Sequence, residues 1–111
     1  MFKFNGNVRN FGLIDNLPWG ACVEVPVLAS KNGLEAMHVG RIPDAVLPLM
    51  SMSSQIEEMV VRASFEGDRE LIYQAVCYDP LTASVLDLQE IRTLVDELFE
   101  FSAPYLPQFT K

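Results

Sequence analysis

From Ala21 to Val27 apolar and polar positions alternate. Ala21, Val23, Val25 and Val27 fall on one side, and Cys22, Glu24 and Pro26 fall on the other. A two-residue period with β-branched residues on one face predicts a half-buried strand. The residues before it include Asp15, Asn16, Pro18 and Gly20, so Asn10–Pro26 reads as an extended segment, a turn and then that strand. Upstream, Phe2 and Phe4 stand two apart and Asn5-Gly6-Asn7 follows. That pattern fits an edge strand entering a turn, and equally a ragged start. Downstream, Ser30-Lys31-Asn32-Gly33 is a turn signal, and its Asn-Gly pair predicts a type I′ hairpin. Leu34–Val39 is then the return strand against Ala21–Leu28, ended by Gly40-Arg41-Ile42-Pro43.

The period changes after Pro43. Val46, Leu47, Leu49, Met50, Ile56, Met59, Val60 and Ala63 recur at helical spacing, and the run ends near Gly67. Pro48 predicts a first-turn position or a break, with Ser51–Ser54 as a second start. Asp68 is the expected N-cap of the next helix, whose stripe is Leu71, Ile72, Ala75 and Val76 and whose end is Asp79-Pro80. Leu81–Leu86 reads as a connecting turn. Asp87 followed three residues later by Glu90 is a capping box opening a third helix. Its inner face is Leu88, Ile91, Leu94, Val95 and Leu98; Asp87, Glu90, Asp96, Glu97 and Glu100 point outward. Pro104 and Pro107 stop it, and Gln108–Lys111 reads as a tail. Strands first and helices after predict an α+β fold: a small antiparallel sheet followed by three helices. So thin a sheet with one helical layer leaves apolar faces over, to be covered by a larger domain or a second copy.

Composition narrows the class. Half of the 111 residues are hydrophobic and 21% are charged, which is globular and not disordered composition. Eight Lys and Arg against fifteen Asp and Glu give a net charge of −7. Scattered cations in an acidic chain supply no counterion-replacing surface, so nucleic acid and anionic membranes are excluded as partners. Two cysteines, Cys22 and Cys77, make no disulfide framework; both read as small buried residues of a cytoplasmic protein. The N-terminus lacks the apolar core of a signal peptide, and no apolar run approaches membrane-spanning length.

Local chemistry is sparse. The six glycines, at positions 6, 12, 20, 33, 40 and 67, form no phosphate-binding turn. His38 is the one histidine, too few for a metal site and a poor partner for either thiol; it reads as a surface or structural residue. Neighbouring carboxylates such as Glu57 and Glu58 point apart on a helix and read as solvated faces. Glu24, inside an apolar strand, calls for a partner, with Arg41, Arg62 and Arg69 as candidates. Trp19, Tyr73 and Tyr78 could line a sugar cleft, although aromatics at such spacing commonly belong to a core.

An ordered set of landmarks nevertheless runs nearly end to end. These are Asn10-x-Gly12-x-Ile14-x-Asn16-Leu17-Pro18, Val23-Glu24-Val25-Pro26, Asn32-Gly33, Val39-Gly40-x-x-Pro43 and Gly67-Asp68-Arg69. Asp79-Pro80-Leu81-Thr82-Ala83 follows, then Leu88-x-x-Ile91-x-x-Leu94-Val95-Asp96-Glu97-Leu98 and Tyr105-Leu106-Pro107. The set resembles the C-terminal quarter of family 4 glycoside hydrolases. Asp-Pro-Leu-Thr-Ala looks more like the α-galactosidase branch than the 6-phospho-glucosidase branch.

The resemblance implies that residues 1–111 are a single partial domain, the C-terminal part of a lactate/malate dehydrogenase-like substrate domain. It implies that the complete enzyme uses NAD and a divalent metal such as manganese. There NAD takes a hydride from C3 of the sugar, a base removes the acidified C2 proton, the glycosidic bond breaks by elimination, water adds and the hydride returns. The nucleotide-binding turn, the metal ligands and the base belong to earlier segments of the family pattern, so no catalytic, cofactor or metal residue is expected in this chain. Neither NAD nor manganese is expected to bind it alone. Asn10, Asn16 and Trp19 are the candidate edges of the substrate pocket. The expected partners are the remainder of the enzyme and further copies of it. The alternative is a free-standing, non-catalytic module that binds a partner protein through its apolar helix faces.

Overall fold

The structure is a computed structural model and describes residues 1–109. It divides into two compact units, Met1–Gln55 and Ile56–Lys111. In the first unit, β1 (Phe2–Arg9), β2 (Cys22–Ser30) and β3 (Gly33–Ala36) form an antiparallel sheet in the order β1-β2-β3. The alternation read from the sequence is the observed one: Val23, Val25 and Val27 are buried with Ile14. Phe4, Val8, Leu13, Leu17 and Ile42 close over them. Burying a side chain of this kind is worth about 1.5–3 kcal/mol, so this cluster is what holds the sheet.

β1 is longer than its sequence suggests. It pairs with β2 from Phe2 opposite Ala29 to Arg9 opposite Cys22, with Asn5-Gly6-Asn7 inside the strand and not in a turn. Gly6 stands opposite Val25, where a Cβ would lie 3.1 Å from both the Phe4 ring and Val27. The glycine is there to make room for the Phe4 ring. The return strand is shorter than predicted, and Pro26 gives the reason. The Met37 N–H donates to the Pro26 carbonyl at 2.9 Å, but Pro26 has no N–H to give back, and the ladder stops at Ala36. The hairpin is not the predicted type I′. Ser30 pairs with Gly33, so Lys31 and Asn32 are the central residues, and neither has positive φ. The Ser30 hydroxyl accepts from the Asn32 N–H at 3.1 Å and sets this tighter start.

Two further corrections concern the outer face of β2. Cys22 and Glu24 are exposed, not buried. Glu24 therefore needs no partner, and two of its candidates are engaged elsewhere: Arg41 with Asp44 and Arg69 with Asp96. Among the described residues only one side of the sheet carries a core.

The helix α1 (Leu47–Glu66) is continuous through Ser51–Ser54, with Pro48 harmless in its first turn. It ends at Gly67, whose φ of +71° lets its N–H and that of Asp68 both reach the Ala63 carbonyl, at 2.8 and 3.0 Å. In the second unit, α2 (Arg69–Tyr78) is capped by Asp68, as predicted. The supposed turn Leu81–Leu86 is mostly a short helix, α3 (Pro80–Val85). Asp79-Pro80 ends α2 and also starts α3: the Asp79 carboxylate accepts from the Thr82 N–H at 2.9 Å and its hydroxyl at 2.7 Å. α4 (Leu88–Ser102) opens with the expected capping box between Asp87 and Glu90. Ile91 and Val95 are its buried residues; Leu88 and Leu98, predicted inward, are exposed. Asp87→Ala should lower stability by about 1 kcal/mol, read as a shift in the urea midpoint, because the Glu90 N–H loses its partner. An unchanged midpoint would mean that the cap contributes nothing.

Single 3-10 turns at Ala103–Tyr105 and Pro107–Phe109 follow. The predicted tail is in part core: Phe109 is buried and packs tilted by 60° against Phe99, with centroids 5.0 Å apart. Thr110 and Lys111 lie outside the described residues.

α2 and α4 are fastened twice, in opposite directions. Arg69 reaches Asp96 at 3.0 Å and lies over the Phe99 ring. Arg92 holds Glu70 through two hydrogen bonds, of 2.8 and 3.0 Å, and lies 3.5 Å above the Tyr73 ring. The Arg92 guanidinium draws the Glu70 carboxyl below its ordinary value of 4.5, and hydrogen bonds from Thr82 do the same to Asp79, ordinarily 3.8. A carboxyl depressed in the folded state stabilises above its unfolded value, and that contribution is lost as pH falls through the folded one. Thermal stability should therefore begin to fall near pH 4.5 and go on falling below 3.8. A Glu70→Gln, Asp79→Asn double variant should show a shallower acid slope in thermal melts. The same slope in both proteins would rule these groups out.

Candidate functional site

Among the described residues, one place in each unit has features that could meet a ligand. The first is the loop Asn10–Gly20, which joins β1 to β2. The ladder continues briefly into it: the Asn10 N–H donates to the Ala21 carbonyl at 2.7 Å, and the Gly20 N–H donates to the Asn10 carbonyl at 2.8 Å. Inside the loop sits the Asn10 side chain, 1% exposed. Its amide nitrogen donates to the carbonyls of Ile14, Leu17 and Pro18 at 2.9, 3.2 and 3.2 Å. Its oxygen accepts from the N–H groups of Leu13 and Ile14, at 3.0 and 2.8 Å. One buried amide thus satisfies backbone groups that the loop's curvature would leave stranded.

Asn16 acts in the same way at longer range. Its amide donates to the Ile42 carbonyl and accepts from the Ile42 N–H, both at 3.0 Å. Together with the bonds from Val39 N–H to Leu13 O (2.8 Å) and Asp15 N–H to Gly40 O (3.0 Å), it clips the segment after β3 to the loop. His38 adds an exposed contact to Asp15 at 2.8 Å, a surface role matching its sequence reading. The spacing Asn10-x-Gly12-x-Ile14-x-Asn16-Leu17-Pro18 thereby acquires a physical meaning. It supplies a central amide, a residue at φ +83°, a core anchor, a clip and two carbonyls for the central amide.

The three sequence candidates therefore differ in kind. Asn10 has its amide fully occupied and shapes the loop from inside, and Asn16 is bound to Ile42. Only Trp19 faces outward, 74% exposed. Trp19 and Tyr78 are both exposed, so neither is a core aromatic. Trp19 rests on Phe11, with ring centroids 5.4 Å apart and tilted by 47°. The Arg9 guanidinium lies 5.4 Å from the Phe11 centroid, with its Nε donating to the Gly20 carbonyl at 3.0 Å. Sequence reading missed Arg9 and Phe11. Their one signal is an Arg-x-Phe spacing at the end of a strand, and it gains meaning only when loop closure brings Trp19 beside them.

The second place is an apolar groove of about 320 Å³ in the helical unit, lined chiefly by Ile72, Val76, Val95, Leu98, Phe99 and Phe109. No titratable side chain lines it. Among the described residues no group of three or more His, Cys, Asp or Glu could hold a metal ion. The residues present therefore do not fit a metal centre, and the isolated glycines do not fit a dinucleotide turn. Among them no helix is long and apolar enough to cross a membrane.

Comparison with known proteins locates these features. The chain is 33% identical over 108 residues to an alpha-galactosidase of Bacillus subtilis (strain 168), covering 97% of this chain and 25% of that protein. It is 31% identical over 109 residues to an alpha-galactosidase of Rhizobium meliloti (strain 1021), covering 98% and 22%. Its fold superposes with a TM-score of 0.83, at 27% identity, on a 6-phospho-alpha-glucosidase from gut microorganisms in complex with NAD and Mn2+, covering 92% of this chain and 23% of that one. The chain thus spans about a quarter of the length of these relatives. Residues 1–82 match the model of the family 4 glycosyl hydrolase C-terminal domain, and the chain belongs to that family.

Proposed function

We propose that residues 1–111 are the C-terminal substrate-domain segment of a cytoplasmic, NAD- and manganese-dependent glycosidase of α-galactosidase type. The carrying observation is the family match over residues 1–82, which includes the whole Asn10–Gly20 loop and its clip to Ile42. The names of the two alpha-galactosidases support the α-galactoside specificity, and the NAD and Mn2+ of the solved neighbour support the cofactors. The cofactor, the metal and the base would be held by parts of the enzyme outside this chain. This chain's contribution is to bring a braced loop to the sugar pocket.

The test is a chimera in which this chain replaces the C-terminal quarter of the Bacillus subtilis alpha-galactosidase. Hydrolysis of an α-galactoside in the presence of NAD and Mn2+ is the expected result. A folded chimera that binds NAD yet hydrolyses no α-galactoside would overturn the reading.

A second reading, a non-catalytic module that docks on a partner, draws on other residues. Phe65, Phe101 and Tyr105 are 88%, 84% and 83% exposed. Side chains this apolar carry a cost in water, and a partner or further copies would cover them. The free 111-residue chain should accordingly self-associate or bind a hydrophobic dye. A monomer in ultracentrifugation with no dye binding would count against any missing cover, whether enzyme or partner.

A further inference from the structure

Resting on the glycosidase reading, we propose that Arg9, Phe11 and Trp19 form a sugar-binding platform. The indole of Trp19 takes the C–H face of a pyranose and the guanidinium of Arg9 takes an oxygen of the same sugar, acidic sugars binding most tightly.

Three observations carry this. First, the row is exposed where its support is rigid. Trp19 and Phe11 are 74% and 55% exposed, yet they stand on a loop whose centre is the buried Asn10 amide. An aromatic surface held ready in this way loses little freedom when a ligand lands on it. Second, Arg9 is positioned but not used up. Its Nε is tied to the Gly20 carbonyl, and a Cβ on Gly20 would stand 3.1 Å from its Nη2, so the glycine leaves the guanidinium its place. Its other N–H groups meet no acceptor among the described residues, and its charge forms no ion pair there. Third, the chemistry is mixed. Flat apolar surface beside fixed donors matches a ring with one C–H face and a rim of oxygens, and an unpaired cation favours a carboxylate or phosphate on that rim. Three side chains, Arg9 at the end of β1 and Phe11 and Trp19 on the loop, are too small a footprint for a stable protein interface, which buries roughly 800 Å² per partner.

Trp19 is the sole tryptophan, so its emission reports the site directly. The 111-residue chain would be titrated with galacturonate, galactose 6-phosphate and galactose, with acetate and inorganic phosphate as controls at matched ionic strength. The expected result is a saturable emission change with the sugars, in the millimolar range and tightest for an acidic one. Comparing galacturonate with galactose 6-phosphate tells which anion is preferred. Arg9→Gln should weaken the acidic sugars about tenfold, and galactose much less. Trp19→Leu, followed by ligand-observed NMR, should abolish binding while the circular dichroism spectrum stays unchanged. No saturable response to any sugar would overturn the platform, as would an equal response to the control anions or full binding by Trp19→Leu. Those failures leave the glycosidase reading intact if the chimera is active. An inactive chimera beside a positive titration would overturn that reading and not the platform.

Discussion

Asn10→Ala is expected to lower the stability of the sheet unit by about 3 kcal/mol or more, read from the shift in its urea midpoint. The substitution removes five hydrogen bonds at once from a side chain that is 1% exposed. It strands the N–H groups of Leu13 and Ile14 and the carbonyl of Leu17, while the carbonyls of Ile14 and Pro18 keep the Leu17 and Ala21 N–H groups at 3.5 and 3.3 Å. Each buried polar group left without a partner costs about 1–3 kcal/mol, and only some of these can turn to water. Asn10→Asp divides the effect: the two acceptor bonds survive, the three donor bonds become repulsive contacts with carbonyl oxygens, and the loop should still fail. Hydrogen exchange at Leu13 and Ile14 gives the local readout, and the indole resonance of Trp19 tells whether the outer row collapses with the loop. A loss below about 1 kcal/mol would show that the loop is held by its apolar anchors and not by the amide.

Gly67→Ala should cost the helical unit about 3 kcal/mol, from two separate causes. The residue sits at φ +71°, which an L side chain adopts at a cost of about 1 kcal/mol. In addition, its Cβ would run into the carbonyl of Gln108, so the Pro107–Phe109 turn must move and Phe109 must leave Phe99. Gly33→Ala is the control that separates these causes. Gly33 has φ +119°, but nothing stands within 4 Å of its would-be Cβ. Only the conformational cost, about 1 kcal/mol, should appear there. Equal losses in the two variants would mean that the last turn gives way freely and that Phe109 contributes little.

The features that were legible in the sequence are those with local causes. The alternation of β2 was readable because a strand repeats every two residues and its buried face is β-branched. The capping box of α4 was readable because Asp87 and Glu90 satisfy their own helix end within four residues. The same holds for Asp68 at α2. Short-range reading went wrong where one signal serves two structures. Asp79-Pro80 reads as a terminator, but the carboxylate of Asp79 also faces forward onto Thr82 and begins α3. Asn32-Gly33 was given its commonest turn, but the Ser30 hydroxyl starts the turn one residue earlier. Gly6 looks like a break because the sequence does not show that the Phe4 ring folds back over it or that Val27 crowds it from β2.

The candidate site divides along the same line. Its landmark residues could be listed, and their order was enough to suggest the family that the comparison confirms. Their roles could not be assigned, since Asn10 and Asn16 look alike as letters while one fills the centre of a loop and the other clips it to Ile42, 26 positions away. Glu24 and Cys22 read as buried because the strand is apolar on both sides of them, whereas the described core covers the valine face alone.

The linear chain already carries the positions of the strands and most helices, the residues that cap them, and the family from which the pattern comes. Each of these follows from periodicity or from contacts a few residues apart. That Asn10 is a scaffold, that Phe109 belongs to a core, and that Arg9, Phe11 and Trp19 share one exposed row emerges in three dimensions. Those facts depend on segments far apart in the chain closing on one another, and the free energy of that closure is shared among backbone and side-chain groups that no single stretch contains.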